Sequence, residues 1–239
     1  MAKSKNRFKF ILPIVASLAF ALVLAGCSAS NSSSQATEAK DTFVYGVGDD
    51  PGNTLNYFTT DDRVGMSVIK ATDEPLFSVN ADGTYNYYAA QDISVSDDGT
   101  VYTVKLKEGA KWSDGEALNA DDVLFTFSKY MEQNPESGFT VNGKPVQIDK
   151  VSDTEVTFTL GSPVASFPET ISGVFLLPKH VFENASSLDM NMSSDKLVGC
   201  GPYQVTEYSA GEYIKMTANP NYMNGEANIE NVIFRIITD

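Results

Sequence analysis

The chain is 239 residues long and acidic, with 31 Asp and Glu against 17 Lys and Arg and a formal net charge of −14. That balance leaves no basic stripe to engage phosphates, which excludes nucleic acid as a partner. One His and two Cys cannot furnish a structural zinc site, and 11 Tyr with 14 Phe supply apolar mass that a disordered chain lacks.

In chain order, the first segment reads as an export signal. Lys3, Lys5, Arg7 and Lys9 precede a run from Phe10 to Ala25 without a charge. At about 16 residues it falls short of the roughly 20 that span a bilayer, so residues 1–26 read as a signal peptide and not as a permanent helix. The run ends in Leu24-Ala25-Gly26-Cys27, which resembles the lipobox of bacterial lipoproteins. The resemblance implies that Cys27 receives a thioether-linked lipid and becomes the new N-terminus. Two acyl chains, usually joined by a third on the amine, hold a protein durably on a membrane, where one chain binds only marginally. The alternative use of Cys27 is a disulfide with Cys200 in an oxidising compartment. Residues 27–40, ending SASNSSSQATEAK, are small and polar and read as a flexible tether.

The remainder alternates strands with turns. Thr42 to Gly48 reads as a first strand, and Asp61 to Ala71 as an amphipathic helix capped by Asp61, with Val64, Val68 and Ala71 on one face. Pro75 to Val79 is a short strand. Asp92 to Leu106 forms a hairpin turning at Asp97-Asp98-Gly99, with Tyr102, Val104 and Leu106 alternating inward. Asn119 and Asp122 make a capping box for a helix that turns Val123, Leu124, Phe127 and Met131 to the core. Hairpins follow with turns at Ser152-Asp153-Thr154 and at Ser209 to Glu212; between them Pro178 starts a short helix at Val181 and Phe182. Asn231 to Ile237 is a β-branched closing strand.

Reaction chemistry is sparse. His180 is the sole histidine and has no nucleophile nearby, so a hydrolytic triad lacks its parts. The Asp-Gly runs lack the alternating oxygen ligands and distal Glu of a calcium loop. No catalytic residue, metal or cofactor is assigned.

Two blocks carry a resemblance that single motifs do not: EPLFSVNADGTYNYYAAQDISVSDDGTVYTVKLKEGAKWSDGEALNADDVLFTF and GCGPYQVTEYSAGEYIKMTANPNYMNG. In order and spacing they resemble the family 5 extracellular solute-binding proteins, the oligopeptide-, dipeptide- and nickel-binding lipoproteins of ABC importers. Lys107 stands where the family has an arginine-like cation, Trp112 to Gly115 matches its Trp-Ser-Asp-Gly element, and Asp121 to Val123 its helix start. Cys200 replaces the usual Thr, and Met223 a Trp. The resemblance implies an α+β fold: a mixed-sheet lobe of a two-lobed, type II periplasmic-binding-protein-like structure. A base of about 41–55 and 165–239 would carry an inserted hairpin-rich subdomain of about 56–164, together residues 41–239. Relatives continue into a second lobe, which is missing here.

The implied function is capture of extracytoplasmic oligopeptides or dipeptides for delivery to an ABC permease and its ATPase. The protein would be lipid-anchored on the outer face of the cytoplasmic membrane, the periplasmic side in a two-membrane cell. Carried over by position, the cleft candidates are Thr59, Thr60, Asp61, Arg63, Ser172, Gly173, Tyr222 and Asn224, with turn formation, capping or packing as their alternative roles. A peptide-sensing receptor and a binder of nickel or another small solute are the alternative readings, and a secreted hydrolase is the reading from another class.

Overall fold

Two four-stranded sheets organise the chain, and the order in which their strands are joined explains how one sequence makes both. The computed structural model describes residues 41–52, 55–135, 137–188 and 197–237; the signal segment 1–26, Cys27 and the tether 27–40 lie outside the described residues. In chain order the elements are β1 (Thr42–Val47), α1 (Arg63–Thr72), β2 (Phe77–Val79), β3 (Tyr85–Tyr87), β4 (Ala90–Val95), β5 (Val101–Leu106), α2 (Ala120–Gln133), β6 (Thr140–Val141), β7 (Lys144–Pro145), β8 (Gln147–Ser152), β9 (Glu155–Thr159), α3 (Phe167–Ser172), α4 (Lys179–Phe182), β10 (Tyr203–Ser209), β11 (Tyr213–Ala218) and β12 (Asn231–Ile236).

The first sheet has the order β1-β12-β11-β10, with β1 parallel to β12 and the other pairs antiparallel. A parallel pair needs a long crossover, and here nearly the whole described chain makes it. The second sheet, β4-β5-β9-β8, forms within that crossover and is antiparallel throughout. Small pairs β2-β3 and β6-β7 flank it, the latter closed by Asn142-Gly143, both in the left-handed region at φ 51° and 74°. Residues Asp41–Asp239 form one compact unit.

Each sheet buries alternate residues under a helix, as a period of two requires. In the first, Ile214 and Met216 of β11 and Val232, Phe234 and Ile236 of β12 face Val64 and Val68 of α1. In the second, Tyr102, Val104 and Leu106 of β5 and Val156 and Phe158 of β9 join Val123 and Phe127 of α2. The three hairpins turn where the residues predict.

Four differences have local causes. The cap of α1 is Asp62, not Asp61: the main-chain oxygen of Asn56 accepts from Thr59 and Thr60 N–H at 3.0 and 2.9 Å, and this turn delays the helix by one residue. In α2 the capping box of Asn119 and Asp122 forms as expected, but Leu124 and Met131 are only half-buried while Asp122 and Thr126 are buried. That face meets main chain: Asp122 Oδ1 accepts from Lys179 N–H at 2.9 Å and Thr126 Oγ1 from Leu177 N–H at 2.9 Å. Pro178 is the cap of α4 and not its first-turn residue. Finally, β3, β6, β7 and α3 were not anticipated, being too short to show a period.

Candidate functional site

Between β1 and α1, Asp50 ties the chain to the turn joining β10 and β11. Asp50 Oδ1 accepts from the Tyr208 hydroxyl at 2.6 Å and from Gly52 N–H at 3.0 Å, and Oδ2 accepts from Gly211 N–H at 2.6 Å. Burial and then this carboxylate push the Tyr208 hydroxyl up to about 12. Next, buried Asn56 organises a turn: its Oδ1 accepts from Phe58 N–H at 2.9 Å and its Nδ2 donates to Leu188 O. The turn presents Thr59, Thr60 and Asp61 in fixed order. Thr60 Oγ1 accepts from Asp62 N–H at 3.3 Å, while Asp61 is exposed. The Thr59 hydroxyl is buried and has no hydrogen-bond partner among the described residues; Thr59 lines a cavity of about 310 Å³ together with Phe182 and Leu188.

Arg63, the first residue of α1, is exposed and has no carboxylate within ion-pair distance among the described residues. It lines a cavity of about 280 Å³ with Tyr45 to Gly48 of the β1 end and with Val64 and Ser67. A guanidinium at the first turn of a helix, where main-chain N–H groups add positive potential, suits a carboxylate or another anionic group.

The other candidates gather beyond the far end of α1. The Tyr222 hydroxyl donates to Glu74 Oε1 at 2.7 Å, and Asn224 Nδ2 donates to the Tyr222 oxygen at 3.2 Å. Lys107 Nζ donates to Asn224 Oδ1. Burial raises Glu74 to about 7 against the pull of Tyr222 and Lys107, and burial and Glu74 raise the Tyr222 hydroxyl. Gly173 accepts from the Tyr57 hydroxyl at 2.7 Å, and the Tyr57 ring meets Phe175 at 5.1 Å between centroids. Phe175 in turn bridges Pro75, next to Glu74. Ser172 Oγ donates to Glu169 O at 2.8 Å, inside its own helix.

The candidates thus fall into two groups, linked through Tyr57. Thr59, Thr60, Asp61 and Arg63 surround the start of α1. Tyr222 and Asn224 belong to its end, and Gly173 is reached through Tyr57. Sequence reasoning missed Glu74, the acceptor that fixes Tyr222, and Asp50; an acid ahead of Pro-Leu-Phe in Glu74 to Phe77 was the available signal.

Residues 84–239 match the bacterial extracellular solute-binding proteins, family 5 Middle. The oligopeptide-binding protein AppA of Bacillus subtilis is 29% identical over 98% of this chain, which spans 45% of that protein's length. The crystal structure of the ABC transporter substrate-binding protein CtaP of Listeria monocytogenes superimposes with a TM-score of 0.73 at 35% identity, covering 84% of this chain and 41% of that one. The structure of B. subtilis AppA in complex with a nonapeptide gives a TM-score of 0.65 at 27% identity, over 83% and 40%. The architecture is that of one lobe of a type II periplasmic binding protein. The chain belongs to the bacterial extracellular solute-binding proteins of family 5.

Proposed function

We propose that this chain carries the base of a substrate-binding lipoprotein of an ABC importer, one that captures oligopeptides or dipeptides outside the cytoplasm and passes them to a membrane permease powered by an ATPase subunit. The observation that carries this reading is the family match over residues 84–239, in the company of a relative solved with a nonapeptide. No bond is broken in such a cycle; ligand is gripped as lobes close about a hinge.

Within this chain we assign ligand contact to Thr59, Thr60, Asp61 and Arg63. Arg63 is to take a carboxylate and Thr60 a hydrogen bond from a peptide main chain, while Thr59, its hydroxyl buried, contributes the wall beside them. Ser172, Gly173, Tyr222 and Asn224 hydrogen-bond within the protein and shape the neighbouring wall. The base is about 41–55 and 165–239 with α1 added to it, since Val64 and Val68 pack on its sheet. Cys27 is the lipid attachment site and holds the protein on the outer face of the cytoplasmic membrane.

Mass spectrometry of small molecules released when the purified protein is denatured tests the reading. Short peptides of intact sequence are expected. A metal complex or a sugar in their place overturns the ligand class, and peptide fragments that accumulate with time overturn binding in favour of hydrolysis. Labelled palmitate is expected in the natural chain and not in Cys27→Ala.

A further inference from the structure

Behind α1 lie two successive carboxyl groups, Asp73 and Glu74, with no Lys or Arg within ion-pair distance among the described residues. They occupy the joint where α1 ends and the chain crosses to the second sheet. Asp73 is half-buried: Thr72 Oγ1 donates to Oδ2 at 2.7 Å, and a Cβ added to Gly199 would stand 3.0 Å from Oδ1. Glu74 is 7% exposed, and the Tyr222 hydroxyl is its carboxylate's hydrogen-bond donor.

Every element packed on the pair adds a hydrogen bond or a charge. Gly201 N–H donates to Thr72 O at 2.8 Å, and Leu176 N–H donates to Glu74 O at 3.2 Å. Cys200 Sγ donates to the same oxygen at 3.7 Å. From the loop after β11 come Tyr222 and Asn224, and through Asn224 the end of β5 contributes Lys107, whose ammonium burial lowers and Glu74 raises. Asp122, at the start of α2, acts on the Cys200 thiol from the other side. The titrating groups are therefore three carboxyls, a thiol and a phenol against one ammonium. Burial lifts Asp73 and Glu74 each to about 7.

We propose that this seam is a proton-operated latch between the two sheets: with Asp73 and Glu74 neutral it holds the α1–β2 junction, residues 199–201 and the loop 219–225 together, and with both ionised it opens locally and hydrates them. The sign follows from proton binding. Closed, the carboxyls titrate near 7; opened to water they return to their ordinary range near 4, so between those limits the closed form holds more protons. Closure is fully favoured only below about pH 4, weakens progressively as the pH rises toward about 7, and the opening constant levels off above that. For one such carboxyl the opening constant rises about tenfold between pH 6 and 8, and for two independent ones about a hundredfold.

Hydrogen exchange of the full chain at pH 6 and pH 8, each divided by the intrinsic rate at that pH, reads the opening directly. The amides of Gly201, Leu176, Asn219 and Tyr222 are expected to open at least about tenfold more at pH 8, with the β11 and β12 amides unchanged. In the double variant Asp73→Asn with Glu74→Gln the seam ratio is expected to fall below about twofold. Equal opening at both pH values, a change spread evenly over the chain, or a ratio that survives in the double variant overturns the proposal. If the double variant does not fold, Tyr222→Phe decides instead. Without that hydroxyl the ionised Glu74 loses its hydrogen bond, so the ratio is expected to widen; a ratio unchanged or narrowed overturns the latch.

Discussion

The two four-stranded sheets have the same number of strands, yet they are finished differently. Over the second sheet Phe158 meets the rings of Phe127, Phe139 and Phe167 at 5.1, 6.5 and 6.0 Å between centroids, and all four are 0–1% exposed. On the first, edge strand β1 leaves Phe43, Val44 and Tyr45 at 49, 56 and 52% exposure. Its inward residues Val47, Val232, Phe234 and Ile236 keep 7–8%. The crossover is where packing is dense; in the base, among the described residues, strand ends, the β1 edge and the Arg63 cavity stay accessible. Packing density is divided unevenly between the sheets.

That division is broken most severely by Phe158→Ala. Removing a ring that three others touch leaves a cavity that close-packed neighbours fill poorly, at a cost of about 3–5 kcal/mol. Urea denaturation followed by circular dichroism should show the full loss; less than about 1 kcal/mol would mean the aromatic cluster relaxes into the space. Gly199→Ala comes next, at about 1–3 kcal/mol in the same assay. A Cβ there would lie 2.1 Å from Thr72 O, so the main chain at the seam must move. Asp50→Ala is expected to cost about 1–2 kcal/mol, since Tyr208, Gly211 and Gly52 lose one acceptor between them. Its signature is local: the amide of Gly211 should exchange faster, with Phe158 surroundings unaffected.

The residues announced much of this, unevenly. Hairpins turning at Asp98-Gly99, at Asp153 and at Gly211 were legible because turn residues interrupt runs of period two, as was the Asn119–Asp122 capping box, a contact three residues apart. The helix face of α2 was legible only in part. Thr126 and Asp122 turn inward to serve the N–H groups of Leu177 and Lys179, partners 51 and 57 residues away, and no local pattern encodes those. The site suffered from the same limit. Tyr222 and Asn224 are cleft candidates by sequence, with packing and turn formation as the alternatives, and nothing local announces that Glu74, 148 residues from Tyr222 in the chain, fixes the first and Lys107 bonds the second. The candidates at the start of α1 are neighbours because they are contiguous in sequence, while the helix cap there is Asp62 and not Asp61.

The smallest expected effect is the most informative about the base. Phe43→Ala removes the same ring as Phe158→Ala, from a residue 49% exposed on an edge strand, so it should change stability by no more than about 0.5 kcal/mol. The double variant should then sum the two costs to within about 0.5 kcal/mol, because the positions belong to different sheets and share no packing partner. A loss above about 1 kcal/mol for Phe43→Ala would mean that β1 is covered in solution, since truncating a ring costs that much only where it is desolvated. Repeating the denaturation at several protein concentrations then separates the sources. A midpoint that rises with concentration places a second copy against the edge, and one that does not places residues of the same chain there.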